Sequence, residues 1–370
     1  MANLRTSLRE LSFIYGLIAH DFSVPKFKDF CSTLADNGIE HGLESKDSVF
    51  YSKVVFDQIV KNGIRLGIFV RDNLKITKID TLNWTGNDTQ SDTPYDVIVN
   101  NIPISLKEDS FILENMGLYK LLSLLTENTY KRGEVHIFKK FAPREYEEWF
   151  DVAWHSMFYK IRRHGPWVYK GKGYTSTIKE QDNKIVFIYK SPEKTLSCSL
   201  PFKSYVSLDE FEKETNSILR EKVFSKWISS IGAYVGEYKV YKNICSTKAG
   251  EELTKFIHKN IKVESFSRIF RILETPYYYA KVTNNSMELY KVLGKQDFKN
   301  NFEIKAFEYS VPSSQLNLLT TIKNIKLGTE ITFRNELRFS HGQFNGTPEA
   351  KLYYTKDSSL EAIYELVATQ

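Results

Sequence analysis

The sequence predicts a chain in two unlike parts, an α/β portion over residues 1–165 and a β-rich α+β portion over residues 166–370. Three observations lead there. Apolar residues in the first 62 positions recur at helical steps. Thr93 to Glu108 reads as two short strands around a tight turn. From Val263 onward, strand-like segments follow one another. At 370 residues the chain is too long for one ordinary core.

In order, Leu4, Leu8, Leu11, Ile14, Tyr15 and Ile18 line one face of an amphipathic first helix whose charges distinguish it from a signal peptide. A second apolar pattern (Phe27, Phe30, Cys31, Leu34) runs to Asn37-Gly38, a dipeptide that suits a helix C-cap. A third helix is expected from Asp47 or Ser48 to Asn62-Gly63. Arg65–Val70 and Leu74–Ile79 read as strands. The polar loop GNDTQSDTP then leads into a hairpin of YDVIV and IPISLK, with Asn100-Asn101 supplying the left-handed turn. Phe111, Ile112, Leu118, Leu122 and Leu125 suggest a helix straight after it. Another helix covers 144–163, with Tyr146, Trp149, Phe150, Ala153 and Phe158 on its buried face, and Gly165-Pro166 stops it at the expected boundary. Residues 167–202 read as short strands. Helices are expected over Leu208–Ile231 and Ala249–Asn260, and strands thereafter.

Composition narrows the class. Hydrophobic residues are 42% and aromatics 14%, enough for formed cores, and no apolar run approaches the roughly 20 residues of a membrane helix. A soluble protein without membrane partners is expected. Three widely spaced cysteines suit neither a disulfide framework nor a zinc site, which points to the cytoplasm. Walker A, dinucleotide-binding, nucleophile-elbow and zincin motifs are all absent, so no nucleotide cofactor is expected. The net charge is +6, and its placement matters more than its size. Lys160, Arg162, Arg163, Lys170, Lys172 and Lys179 fall in an acid-free stretch interleaved with Trp167, Tyr169 and Tyr174. Such a stretch suits phosphate contacts and base stacking, or simply a solvated helix end before an aromatic hairpin.

The chemistry concentrates in the hairpin. Asp96 opens its first strand and Lys107 closes the second, so a carboxylate and an ammonium meet at one end. That pair can hold a divalent metal, orient a water and stabilise a phosphorane-like transition state. Thr93-Pro94-Tyr95-Asp96 with Ser105-Leu106-Lys107 resembles the PD-(D/E)XK motif of the restriction-endonuclease-like nucleases, over roughly residues 40–130. The resemblance implies a mixed sheet flanked by helices and Mg²⁺-dependent hydrolysis of double-stranded DNA at a specific site. It also implies a homodimer, as in a type II restriction endonuclease of a restriction–modification system. Asp96 would then ligate the metal, with the Leu106 carbonyl as a further ligand, and Lys107 would polarise the attacking water.

Two features depart from the pattern: Tyr95 separates Pro94 from Asp96, and Ser105 stands where the family has an acid. A replacement carboxylate is therefore required, with Glu114 and Glu44 as candidates and Glu108 behind them. A rival acid–E-x-K set occurs at Asp297 and Glu303-Ile304-Lys305, with only a short FKNN segment between its parts. For target recognition, Arg334, Arg338, His341, Gln343, Asn345 and Lys351 crowd a Gly-punctuated segment whose donors and acceptors suit base edges. Two other classes stay open: a non-catalytic nucleic-acid-binding protein with a degenerate core, and an RNA-processing nuclease.

Overall fold

The computed structural model describes residues 4–19, 26–27, 29–30, 53–86, 94–108, 112–126, 128–131, 136–230, 236–260, 272–339, 341–354 and 364–370. It is a mixed α/β protein with three sheets. Of the expected second helix only residues 26–27 and 29–30 are described, and they are helical; its remainder and Glu44 lie outside the described residues.

Helices α1 (Leu4–Ile18) and α2 (Lys53–Asn73) pack on each other. The two segments expected as strands are not strands: 65–70 is the second half of α2, and 74–79 is irregular. Asn62-Gly63 does not cap the helix, because its glycine serves the crossing of the two helices. A Cβ at Gly63 would lie 2.5 Å from the Ser12 Cβ, and one at Gly67 would lie 2.2 Å from the Phe13 carbonyl oxygen. The helix continues until Lys75, whose φ of 54° and the Ile76 N–H bond to the Arg71 carbonyl turn the chain away.

The hairpin forms as its residues dictate. Strands β1 (Leu82–Trp84), β2 (Val97–Val99) and β3 (Ile102–Glu108) run antiparallel, and Asn100 and Asn101 take φ of 48° and 64° in the turn. The Asn100 amide also ties the turn to the chain before β1, accepting from Asp80 N and donating to the Lys78 carbonyl.

Directly after it the chain departs from expectation. Residues Ile112–Gly117 form a strand, β4, and only Leu118–Thr126 (α3) is helical. A short α4 (Ile137–Phe141) leads to α5 (Pro143–His164), which buries Tyr146, Trp149, Phe150, Ala153, Trp154, Met157, Phe158 and Ile161 and stops at Gly165 with φ of 77°. The four-stranded meander that follows is β5 (Trp167–Gly171), β6 (Tyr174–Gln181), β7 (Lys184–Lys190) and β8 (Thr195–Pro201).

The single helix expected over 208–231 is split. α6 (Leu208–Glu214) ends where Thr215 turns extended, and Asn216 caps a new helix, α7, of Ser217–Leu219, a π-helical turn Arg220–Phe224 and Ser225–Ser230. α8 (Glu237–Asn260) starts a full three turns earlier than expected. Then come β9 (Tyr277–Val282), β10 (Met287–Val292), α9 (Lys295–Asn301), β11 (Phe302–Ser310), β12 (Asn317–Asn324), β13 (Glu330–Arg338), β14 (Glu349–Tyr354) and β15 (Glu365–Thr369).

Two sheets cross the expected boundary at residue 165. The first has the order β1-β2-β3-β9-β10-β15, with β3 and β9 parallel and the other neighbours antiparallel. The second, β11-β12-β13-β14-β4, takes its edge strand β4 from the first half. The six-stranded sheet separates two cores. Val97, Val99, Ile104, Leu106, Ala280, Val282 and Leu289 face α1 and α2, whereas Tyr277, Tyr279, Tyr290 and Val292 join the main core. Among the described residues, no helix is long and apolar enough to cross a membrane.

The glycine crossing sets the position of α1 on this sheet. Gly67→Ala should cost about 1–3 kcal/mol or more by overpacking, read as a lower urea midpoint with an unchanged denaturant slope.

Candidate active site

Asp96 sits where β2 and β3 part. Its backbone N–H still bonds the Ile104 carbonyl, but its carboxylate Oδ2 takes the next ladder donor, the Leu106 N–H, at 2.6 Å. The Ser105 hydroxyl reaches the same oxygen at 3.4 Å. A strand residue sends its N–H and C=O to the same edge, so the Leu106 carbonyl is directed to the side of Asp96. Strand alternation sets Ser105 and Lys107 on the face away from α1, because Ile104 and Leu106 face that helix. Asp96 and Lys107 therefore meet at one sheet end, as their places in the hairpin require.

The replacement acids expected for Ser105 fare differently. Glu114 is not on a helix beside the hairpin. It lies on β4 in the other sheet, opposite Leu352. The reason is local: Ile112–Gly117 pairs with β14, and that pairing overrides the weak helical period. Glu108 lies on the helix-facing side of β3, where its carboxylate is 3.7 Å from the Arg9 guanidinium.

A third candidate emerges instead, Glu10 on α1. Its side chain is 1% exposed, and its Oε2 accepts a 2.8 Å hydrogen bond from the Trp84 indole N–H. It presses on Gly86, where a Cβ would come within 2.1 Å of the same oxygen. Gly86 in turn donates its N–H to the Asp96 carbonyl at 3.0 Å. Burial first, then the Asp96 charge, pushes the Glu10 carboxyl up from 4.5 to about 7, against the opposing pull of Trp84, Arg9 and Lys107. Two carboxylates that repel each other at low exposure, with a lysine in reach of one, form an acid–acid–base cluster. Sequence reading passed over Glu10 because LRELSF reads as an ordinary amphipathic helix. Its one signal was an acid inside the apolar stripe Leu8–Leu11, on a face otherwise given to the core.

Among the described residues no three acids, histidines or cysteines gather as a metal cage. The donor set at this end of the sheet is Glu10, Asp96 and the Leu106 carbonyl. Such a set fits Mg²⁺, which takes one or two carboxylates and fills the rest of its octahedron with water and substrate oxygens. The rival set does not assemble in this way: Asp297 is in the short helix α9, while Glu303 and Lys305 pair with each other at 2.5 Å on the exposed start of β11.

The expected recognition residues divide into two places. Arg334, Arg338 and Lys351 share one half-exposed face of the β13–β14 pair with Glu336 and Glu349. There Arg334 lies over the Tyr353 ring at 4.6 Å, and Lys351 stands 3.9 Å from Glu349. His341 and Asn345 belong elsewhere, to a cavity of about 600 Å³ lined with His136, Lys139, Glu212 and Arg220. Asn345 is not available to read a base: its amide donates to the Ser217 and His341 carbonyls and accepts from Arg220 Nε. His341 is 71% exposed on its side chain, 3.5 Å from Glu221, and the backbone carbonyl of Gln343 accepts from the Ser225 hydroxyl. Arg162, Arg163, Lys170 and Lys172 are all exposed at the end of α5 and along the β5–β6 hairpin. Of the aromatic residues among them, Trp167 stacks on Tyr169 at 6.2 Å and Tyr174 lies tilted against Tyr189 of β7 at 5.5 Å.

Comparison of the chain with protein-family models, with curated proteins and with solved structures finds no match. The site therefore has to be read from its own chemistry.

Glu10 makes a sign-definite prediction. Its folded pKa lies above its unfolded one, so the folded state binds the proton more tightly and the stability it contributes is lost as pH rises from about 4.5 to about 7. Without divalent ions, Glu10→Gln should gain on wild type across that window, by roughly 3 kcal/mol at its upper end. Urea unfolding of both proteins at pH 5 and pH 8 measures it, and a pH-independent difference would exclude a buried titrating acid. Asn345→Ala should cost about 1–3 kcal/mol, since it strips partners from Arg220 and two carbonyls, whereas exposed His341→Ala should leave thermal unfolding unchanged.

Proposed function

We propose that the chain is a metal-dependent phosphodiesterase of nucleic acid, with double-stranded DNA as the substrate and an endonuclease of the restriction type as the specific reading. One observation carries this: Asp96 and Lys107 sit at the parting of two strands, and the buried acid Glu10 couples to Asp96 there. The likeness of Thr93–Asp96 and Ser105–Lys107 to the PD-(D/E)XK motif supports the same reading, with Glu10 in place of the acid that Ser105 lacks.

Glu10, Asp96 and the Leu106 carbonyl would hold Mg²⁺, which supplies Lewis-acid stabilisation of a phosphoryl oxygen and acidifies water. The chain's own groups do the rest. Ser105 and the Leu106 N–H fix the Asp96 carboxylate, leaving its other oxygen for the cation. Lys107, on the face of β3 away from α1, would donate to the attacking water or to a non-bridging phosphate oxygen and balance the charge that develops. Trp84 holds Glu10 in one orientation. The exposed cations Arg162, Arg163, Lys170 and Lys172 supply sequence-independent phosphate attraction, and Arg334 and Arg338 are the side chains left to read bases. A homodimer fits this reading, since a two-fold protein matches a palindromic site.

The test is cleavage of plasmid DNA with Mg²⁺ and its loss with EDTA. Lys107→Ala and Glu10→Gln should each lower the single-turnover rate by at least about 100-fold, while duplex affinity in Ca²⁺ stays within about threefold. A gel shift without cleavage by the wild type supports a binding protein with a degenerate core, and cleavage confined to structured RNA supports an RNA-processing enzyme.

A further inference from the structure

The four-stranded meander β5–β8 has two unlike sides. Its inner side joins the main core through Ile178, Ile185, Phe187 and Leu200, and the Ser176 hydroxyl donates to the Lys222 carbonyl of α7. Strand alternation turns the other side away from that core, and the register lays it out in rows. Lys170, Thr175, Lys190 and Thr195 form one row, and Val168, Thr177, Ile188 and Ser197 the next. Lys179, Val186 and Ser199 form the third, with Lys184 at the far end of β7. Lys170, Lys184 and Lys190 are exposed and Lys179 is half-buried.

Charge on this face has one sign. The meander contains three acids, but Glu180 shares the side of Ile178, and Asp182 and Glu193 lie in the turns. Among the described residues no carboxylate pairs with Lys170, Lys179, Lys184 or Lys190. Thr175 stands between Lys170 and Lys190, which puts their strands roughly 9–10 Å apart. That spacing avoids the repulsion of directly opposed like charges, yet it lies within about one Debye length at moderate salt, so the ammonium groups act together. A sheet face kept only for solubility intersperses both signs. This one combines unpaired cations with threonine and serine hydroxyls, the two kinds of group that hold phosphate oxygens.

The aromatic residues decide among polyanions. Trp167, Tyr169, Tyr174 and Tyr189 all belong to the inner side, so the rings interleaved with the basic residues in sequence do not share their face. Single-strand binding draws on base stacking, and a membrane surface needs inserted aromatic or large apolar groups. A duplex backbone needs only cations and hydroxyl donors. Lys184 and Lys190 stand at the two ends of β7, about 20 Å apart along the strand, a length of duplex that carries roughly a dozen phosphates.

We propose that the outer face of the meander is a docking surface for double-stranded DNA, on which Lys170, Lys179, Lys184 and Lys190 hold the phosphate backbone without reading bases. This rests on the reading of the chain as a protein that acts on nucleic acid.

Binding in Ca²⁺, without turnover, tests the proposal on the full-length protein. The probe is a short fluorescein-labelled duplex of arbitrary sequence, titrated over a range of salt. Each lost phosphate contact lowers the slope of log affinity against log salt by about one. The quadruple variant Lys170→Gln/Lys179→Gln/Lys184→Gln/Lys190→Gln should therefore lose roughly three to four from the slope and bind at least about 100-fold more weakly at low salt. Arginine at the same four positions should keep the slope. A control with the same charge change, Lys61→Gln/Lys75→Gln/Lys78→Gln/Lys259→Gln, alters exposed lysines on other elements and should also keep it. Equal losses in the two glutamine variants, or none in the first, overturn the proposal. So does single-stranded DNA that binds as tightly as the duplex, or binding to phosphatidylserine vesicles in place of duplex. Cleavage separates the two levels. If Lys107→Ala abolishes Mg²⁺-dependent cleavage while the quadruple variant keeps the wild-type slope, the phosphodiesterase reading stands and the role of this face falls. If the slope drops as expected but the wild type never cleaves, the face serves a binding protein. A wild type that binds no duplex overturns both.

Discussion

The hydrogen bond from the Leu106 N–H to the Asp96 carboxylate is the constraint on which the site depends. In an uninterrupted hairpin that donor would meet a backbone carbonyl of the partner strand. Here a side chain replaces the carbonyl, so β2 and β3 part without leaving a buried N–H unpaired. The parting makes room for chain from β1, where Thr85 and Gly86 both bond the Asp96 carbonyl. One carboxylate therefore both closes the sheet's bonding and opens its end. The double role explains why an aspartate suits this position: a longer side chain would overshoot the N–H, and an amide would bring less charge.

Around that point the fold accepts electrostatic cost. Glu10 is buried beside Asp96 on a helix that otherwise contributes Leu8, Leu11 and Ile14 to the core. Burying an acid against another acid destabilises the apo protein at neutral pH, and a hydrophobic residue would remove that cost. The compensation present is partial: an indole N–H, a neighbouring arginine and Lys107. Positive charge placed beside such a pair would stabilise it, so Glu10 is a stability liability where no cation is present. The glycine-mediated approach of α1 and α2 brings Glu10 to this depth.

The six-stranded sheet gives the site its second side. Its helix-facing surface is apolar apart from Glu108 at the end of β3, while the other surface sets Tyr279 and Tyr290 beside Lys107 and Lys281. Because β3 and β9 are parallel, residues far apart in sequence stand in register, and two lysines from either half of the chain become neighbours. The sheet end that carries Asp96 and Lys107 is thus built from strands of both halves of the chain.

Much of this was legible in the residues themselves. Asn100-Asn101, the Val/Ile alternation and the places of Asp96 and Lys107 determine the hairpin and its charged end, because turn chemistry and strand period act over a few positions. The face of α5 and the meander over 167–201 follow from the same local rules. The α2 segment Arg65–Val70, a β-branched and apolar run, became helix because Gly63 and Gly67 let it lie against α1, a preference that exists only when the second helix is present. Glu114 moved to another sheet because β4 found its partner in β14, more than two hundred residues away. Asn345, chosen as a base reader by type, is bound up in its own loop. Glu10 carried only a faint signal, an acid inside the apolar stripe Leu8–Leu11, since little that is local distinguishes a buried acid on an amphipathic helix from an exposed one. Sequence alone determined which short elements form and which residues lie at their ends. Tertiary structure decided which of those ends meet, because that depends on long-range pairing and on how closely two backbones can approach.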